Sequence, residues 1–278
     1  MNSKYKKLEI SIKKRLTWDF LGSFQSAFKW MWTEFDSLRE YVPGDSIKSI
    51  DWKSTAKLWD VHVKNYEEEK DLKILFIIDN TDSLTFGSEK ITKKECVEEI
   101  FFLLAQSAIL TGHSIWVKIN SEFLDFKKWE ENIIKTIKIL HSHSPLQRGA
   151  RGGIDKSGKE IKQGNIKNSL IFHITDSLTP NITNLKYLNI LNEIVYINIF
   201  DYFENNLSED TFEVNLWNTF KNVLLWKKKK LVKYKALREH KIHALQKTLR
   251  KQNIEYLSLD NHDDIFLEFY KFFNSYKT

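Results

Sequence analysis

Three short apolar runs constrain this chain more than anything else in it. Lys73–Asp79 (KILFIID), Ser169–Asp176 (SLIFHITD) and Ile194–Phe200 (IVYINIF) are rich in Ile, Phe and Val and bounded by polar residues. A strand that is apolar on both faces needs helices on both sides of its sheet, the situation of a buried parallel strand. Between the first two runs, Thr92 and Glu95 make a capping-box pattern. Val97, Phe101, Leu104 and Ala108 then recur at helical spacing before Gly112, so Thr92–Leu110 is expected to be an amphipathic helix.

The alternation continues. Ser114–Ile119 reads as a strand, Trp129–Leu140 as a helix, and Leu185–Leu191 as part of a shorter helix. Val214–Trp226 carries apolar runs on either side of a polar Asn218–Asn222 turn region and reads as an inserted hairpin. Leu231–Gln252 reads as a long basic helix, Glu255–Leu259 as a strand and Asp263–Phe273 as a closing helix. The expected fold class is α/β, a doubly wound and mainly parallel sheet with an N-terminal extension and an inserted β-hairpin. Five of the nine glycines lie between Gly149 and Gly164 among Lys and Arg, a composition expected of a loop beside the sheet.

Composition narrows the functional classes. Cys96 is the only cysteine, which excludes an internal disulfide and a cysteine-based zinc cluster and fits a cytoplasmic protein. No segment has the length and apolarity of a membrane span. With 43 basic against 37 acidic residues, the net charge of +6 permits an anionic partner without requiring one. The densest basic stretch is Lys227–Lys230, followed by Lys233, Lys235, Arg238 and Lys241. Beside Trp217, Trp226 and Tyr234 it can be a single-strand nucleic-acid surface or simply a solvated helix face. His141 and His143 lack companions at ligand spacing, and neither a serine nucleophile elbow nor a phosphate-binding Gly-Lys-Ser/Thr loop is present.

Ligands in open α/β sheets sit at the carboxyl ends of the strands, and there the sequence offers Asp79-Asn80-Thr81-Asp82-Ser83 and Thr175-Asp176. Carboxylates and hydroxyls in this pattern are hard oxygen ligands suited to Mg²⁺. The same residues also suit turns, and Asp176 suits a helix cap.

The pattern Asp79-x-Thr81-x-Ser83 after a buried strand, with Phe86-Gly87 behind it, resembles the metal-ion-dependent adhesion site of von Willebrand factor type A domains. Taken with Glu34-Phe35, Arg39, Tyr41, Pro43-Gly44-Asp45, Ile50-Asp51-Trp52 and Ala56-Lys57, the chain resembles the DUF58 family, from about Gly22 to the C-terminus. The resemblance implies a type A fold over residues 67–278 with a signature segment, residues 1–66, packed on it. It also implies a non-enzymatic interaction protein that partners a MoxR-type AAA+ ATPase, with Asp79, Thr81, Ser83 and Asp176 as ligands of a degenerate Mg²⁺ site.

The chain departs from the family pattern in places. Ile154 stands where a ligand threonine is expected, Lys48 and Lys57 where arginine is usual, and Trp30 and Trp32 where a Gly-x-Gly precedes Glu34. Val42-Pro43-Gly44-Asp45 suits a type II turn. Arg39, Asp45 and Asp51 are expected to clasp that segment, with Trp52 as a buried anchor. Nucleic-acid binding through Lys227–Lys241 is the alternative function, and the sequence leaves the oligomeric state open.

Overall fold

A computed structural model describes residues 3–32, 35–47, 50, 52, 55, 61–66, 73–88, 91–120, 122–124, 129–142, 169–179, 182–206, 211–216, 219–224 and 228–275. The main sheet has the order β11-β8-β7-β3-β5-β6. Its strands are β3 (Lys73–Ile78), β5 (Ser114–Ile119), β6 (Glu122–Leu124), β7 (Ser169–Thr175), β8 (Glu193–Phe200) and β11 (Glu255–Asp260). All neighbours are parallel except β6, which closes one edge antiparallel to β5.

Alternate side chains of β3 explain why helices cover both faces. Ile74, Phe76 and Ile78 join the larger core with α3 (Lys93–Leu110), α4 (Trp129–Ser142) and α8 (Ile265–Asn274). Leu75 points the other way, into a core with Leu185 of α5 (Ile182–Asn189) and Leu245 and Leu249 of α7 (Lys228–Lys251). The doubly wound α/β arrangement is therefore present, and each apolar run lies where its composition places it.

The N-terminal helices α1 (Ser3–Arg15) and α2 (Trp18–Trp32) form a further layer. Ile12, Phe20, Phe24 and Ala27 belong to the larger core, and Phe24 meets Phe273 of α8 edge-on at 5.3 Å. This layer changes the expected character of α3, which contacts α1, α2, α4 and α8. From Cys96 to Ala108 only Glu99 escapes full burial, so α3 is a central helix and not an amphipathic one with a wet face.

Beyond α2, the signature segment contributes a separate two-stranded antiparallel ribbon, β1 (Phe35–Glu40) with β2 (His62–Tyr66). At Val42–Asp45 the amide of Asp45 donates to the carbonyl of Val42 at 3.0 Å, and Gly44 has φ 115°, as a type II turn requires. The Asp45 carboxylate accepts from the amide of Val42, which accounts for its part in the clasp. Trp52 is 64% exposed, so it is not the buried anchor expected of it. The Arg39 side chain, Asp51, Lys48, Lys57 and Ile154 lie outside the described residues, as do 143–168 and Lys227.

The hairpin is present as β9 (Thr211–Leu216) and β10 (Thr219–Leu224), which pair with β4 (Phe86–Ser88) in a small antiparallel sheet. The expected Asn218–Asn222 turn region is not borne out as such, because residues 219–224 are already strand and Asn222 pairs with Glu213. No helix among the described residues is long and apolar enough to cross a membrane.

Candidate functional site

Successive strands are added on one side of β3 and then on the other, so β3 and β7 flank the topological switch point of the sheet. That is where an open α/β sheet offers a crevice at its carboxyl ends. The Asp79 amide donates to the carbonyl of Ile174 at 3.1 Å, which carries the pairing one step beyond the strands. On the other side, Asn80 and Asn120 exchange hydrogen bonds: the Asn80 amide donates to Asn120 Oδ1 and Asn120 Nδ2 to the Asn80 carbonyl. The loop after β3 is thereby held at both flanks.

Thr81, Ser83 and Asp176 come together. Thr81 Oγ1 lies 2.8 Å from Ser83 Oγ and donates to Asp176 Oδ1 at 3.1 Å. Asp79 belongs to a different pair, with its Oδ2 2.9 Å from His173 Nε2. Burial works to raise the Asp79 carboxyl, but the hydrogen bond and attraction of His173, with Thr175 and Lys118 beyond, hold it below the ordinary carboxylate range.

The other oxygen of Asp176 faces a residue that sequence reasoning missed. Lys93 Nζ donates to Asp176 Oδ2 and to Glu204 Oε1, each at 2.9 Å, and Arg238 Nη2 pairs with Glu204 Oε2 at 2.9 Å. The Lys93 and Asp176 side chains are each 5% exposed and that of Arg238 11%. Burial works against the Lys93 ammonium, but Glu204 and Asp176 outweigh it and hold the group above the ordinary lysine range. Arg238, read from sequence as part of the basic surface, is thus engaged inward, while Lys233 and Lys241 remain exposed on α7.

The supports of this network are short and local. Asp201 caps the one-turn helix α6 (Tyr202–Asn205) by accepting from the amide of Phe203, and its other oxygen accepts from Asn261 Nδ2. Asn261 also bonds the carbonyl of Ile91, so the turn presenting Glu204 is tied to the start of α3, which presents Lys93. The Tyr196 hydroxyl and Asn198 Nδ2 both donate to the carbonyl of Ser177, which fixes the loop after Asp176.

Two sequence features bear on the missed residues, although neither identifies a partner. Lys93 and Lys94 open α3, where a cation opposes the helix dipole and calls for a compensating anion. His173 is the one ring nitrogen base in a strand whose seven residues are all buried.

The arrangement does not fit a divalent cation. Mg²⁺ prefers octahedral ligands at about 2.0–2.1 Å, whose adjacent oxygens lie roughly 2.9 Å apart, and the Thr81, Ser83 and Asp176 oxygens approach that spacing. Charge decides against it. Asp79 is turned to His173, and Asp176 is bridged to a buried ammonium. A divalent ion at these hydroxyls would have Asp176 as its one available carboxylate and would share it with the Lys93 ammonium about 5 Å away, whose repulsion offsets part of that single attraction.

Covalent chemistry has little to work with among the described residues. Burial pushes the Cys96 thiol far above its ordinary range, and Nδ1 of His173 is buried without a hydrogen-bond partner. The histidine is therefore not aligned between a nucleophilic hydroxyl and an acid.

Fold and site together define an open α/β protein with an ion-paired polar crevice at its switch point. The family described as "Protein of unknown function DUF58" matches residues 37–233, and the chain belongs to that family. Uncharacterized proteins of Mycobacterium bovis and of two Mycobacterium tuberculosis strains are 27% identical to it over 104 residues. That span is 37% of this chain and 31% of each relative, so the chain covers less than a third of the length of the relatives it matches.

Proposed function

We propose that the chain is a cytoplasmic protein-interaction module of the von Willebrand factor type A kind, binding a protein partner at the carboxyl ends of β3 and β7. The observation that supports it is the division of labour in the crevice. Lys93, Asp176, Glu204 and Arg238 satisfy one another inside, while Thr81, Asp82 and Ser83 are exposed at the rim. Such a rim offers hydrogen bonds to a partner over a rigid base and holds no aligned nucleophile and base. The partner class implied by the family resemblance is a MoxR-type AAA+ ATPase.

Affinity capture from the native cell tests the reading. Wild-type protein should retain an AAA+ ATPase, and Asp82→Arg, a charge reversal on an exposed side chain, should reduce capture at least about tenfold with the melting temperature unchanged. Equal capture by both proteins would remove the crevice as the binding surface.

A further inference from the structure

The Lys93 ammonium occupies the role that a metal ion has in a site of hydroxyls and carboxylates. It is buried, it contacts two carboxylates at 2.9 Å, and its Nζ lies over the Phe86 ring, 5.9 Å from the centroid. It is delivered there by two backbone features. Thr92 caps α3 in a reciprocal box with Glu95, which fixes the first helical residue. Gly87 allows β4 to lie against Ile91 and Thr92, since a Cβ there would come within 2.3 Å of the Ile91 carbonyl oxygen.

The contact chain of four charged side chains balances without any added ion, while the Asp79 carboxylate stands outside it against His173. Lys93 and Arg238 supply two positive charges, and Asp176 and Glu204 two negative ones, in a continuous chain of contacts from Arg238 through Glu204 and Lys93 to Asp176. Thr81 continues that chain to the rim by donating to Asp176, with Ser83 beside it. The hydroxyls that a cation would draw inward are thus ordered by a carboxylate that is itself ordered by lysine.

We propose that Lys93 is the resident cation of this crevice, so that the loop after β3 is held in its binding geometry by an ammonium and the site is closed to divalent ions. The inference concerns the same crevice as the proposed interaction, but its test reads metal binding and stability, so either can fail alone.

The test uses the full chain with Mn²⁺ and Mg²⁺ as probes. Wild-type protein should bind no Mn²⁺ by electron paramagnetic resonance at about 1 mM ion, and its melting temperature should not respond to Mg²⁺. Lys93→Ala should melt lower in the absence of metal and should regain part of that loss with either ion, together with a saturable bound-Mn²⁺ signal. Adding Thr81→Ala to Lys93→Ala should abolish the signal. A folded Lys93→Ala protein that ignores both ions overturns the proposal, as does saturable Mn²⁺ binding by wild type that is lost in Thr81→Ala. If Lys93→Ala fails to fold, the wild-type titration still decides: bound Mn²⁺ lost in Thr81→Ala refutes the resident-cation role, and its absence upholds it.

Discussion

At Gly87 a missing methyl group governs where a charge can sit. The nearest atoms to a Cβ there are backbone, Ile91 O at 2.3 Å and Thr92 Cα at 2.6 Å, so no flexible side chain can give way. Gly87→Ala should therefore push β4 from the start of α3 and pull Lys93 off Asp176. The expected cost is about 1–3 kcal/mol of overpacking, read as a lower urea midpoint, and an unchanged midpoint would show that the close approach is dispensable. The Phe86-Gly87 pair and the cluster of Thr81, Ser83 and Asp176 could be singled out in the sequence because short motifs after a buried strand are local, whereas the turn of Asp79 toward His173 could not. Nor could their partners. Lys93 and Arg238 look like surface lysine and arginine until the fold brings Glu204 between them.

Elements were most legible where the signal is carried by adjacent residues. The Thr92 and Glu95 box is formed as its spacing requires, and the apolar runs became β3, β7 and β8. The inward burial of α3 was not legible, since it depends on α1 and α2, whose charged or tryptophan-rich sequences gave no clear helical reading. The hairpin turn was misplaced for a related reason: Asn218 and Asn222 are both turn formers, and only the pairing of Asn222 with Glu213 separates them.

One contact between elements carries a pH dependence. Arg15 at the end of α1 pairs with Asp264, which also caps α8 by accepting from the amide of Leu267. Slight burial works to raise the Asp264 carboxyl, but the Arg15 hydrogen bond, the cap and the Arg15 charge outweigh it and hold the group below the ordinary range. A depressed carboxyl contributes stability that is present above its unfolded value and is lost as pH falls through its folded value. Asp264→Asn should therefore lower stability at neutral pH by no more than about 1 kcal/mol, because the pair is exposed. The variant and wild type should converge once pH falls below the depressed native value of Asp264. Unfolding curves that stay apart in acid would assign the effect to lost capping geometry instead of charge.

For the molecule as a whole, alternating strand and helix patterns announce an open α/β sheet, but they do not give strand order. The adjacency of β3 and β7 joins residues far apart in the chain, and it alone makes Asp79 and Asp176 neighbours across the switch point. The ribbon of β1 and β2 has a different standing. It is hydrogen-bonded as its own two-stranded sheet, and two strands alone are marginally stable in water. Native-state hydrogen exchange should separate the two parts. Amides of Leu38–Glu40 and Val63–Asn65 should exchange through a local opening that is insensitive to low urea, while those of Ile74–Ile78 and Ile171–Thr175 should exchange only through global unfolding. Matching exchange energies in both would make the ribbon part of the same cooperative unit. With the expected difference, the stretch where the family match begins sits on a piece that can detach and redock while the sheet stays folded.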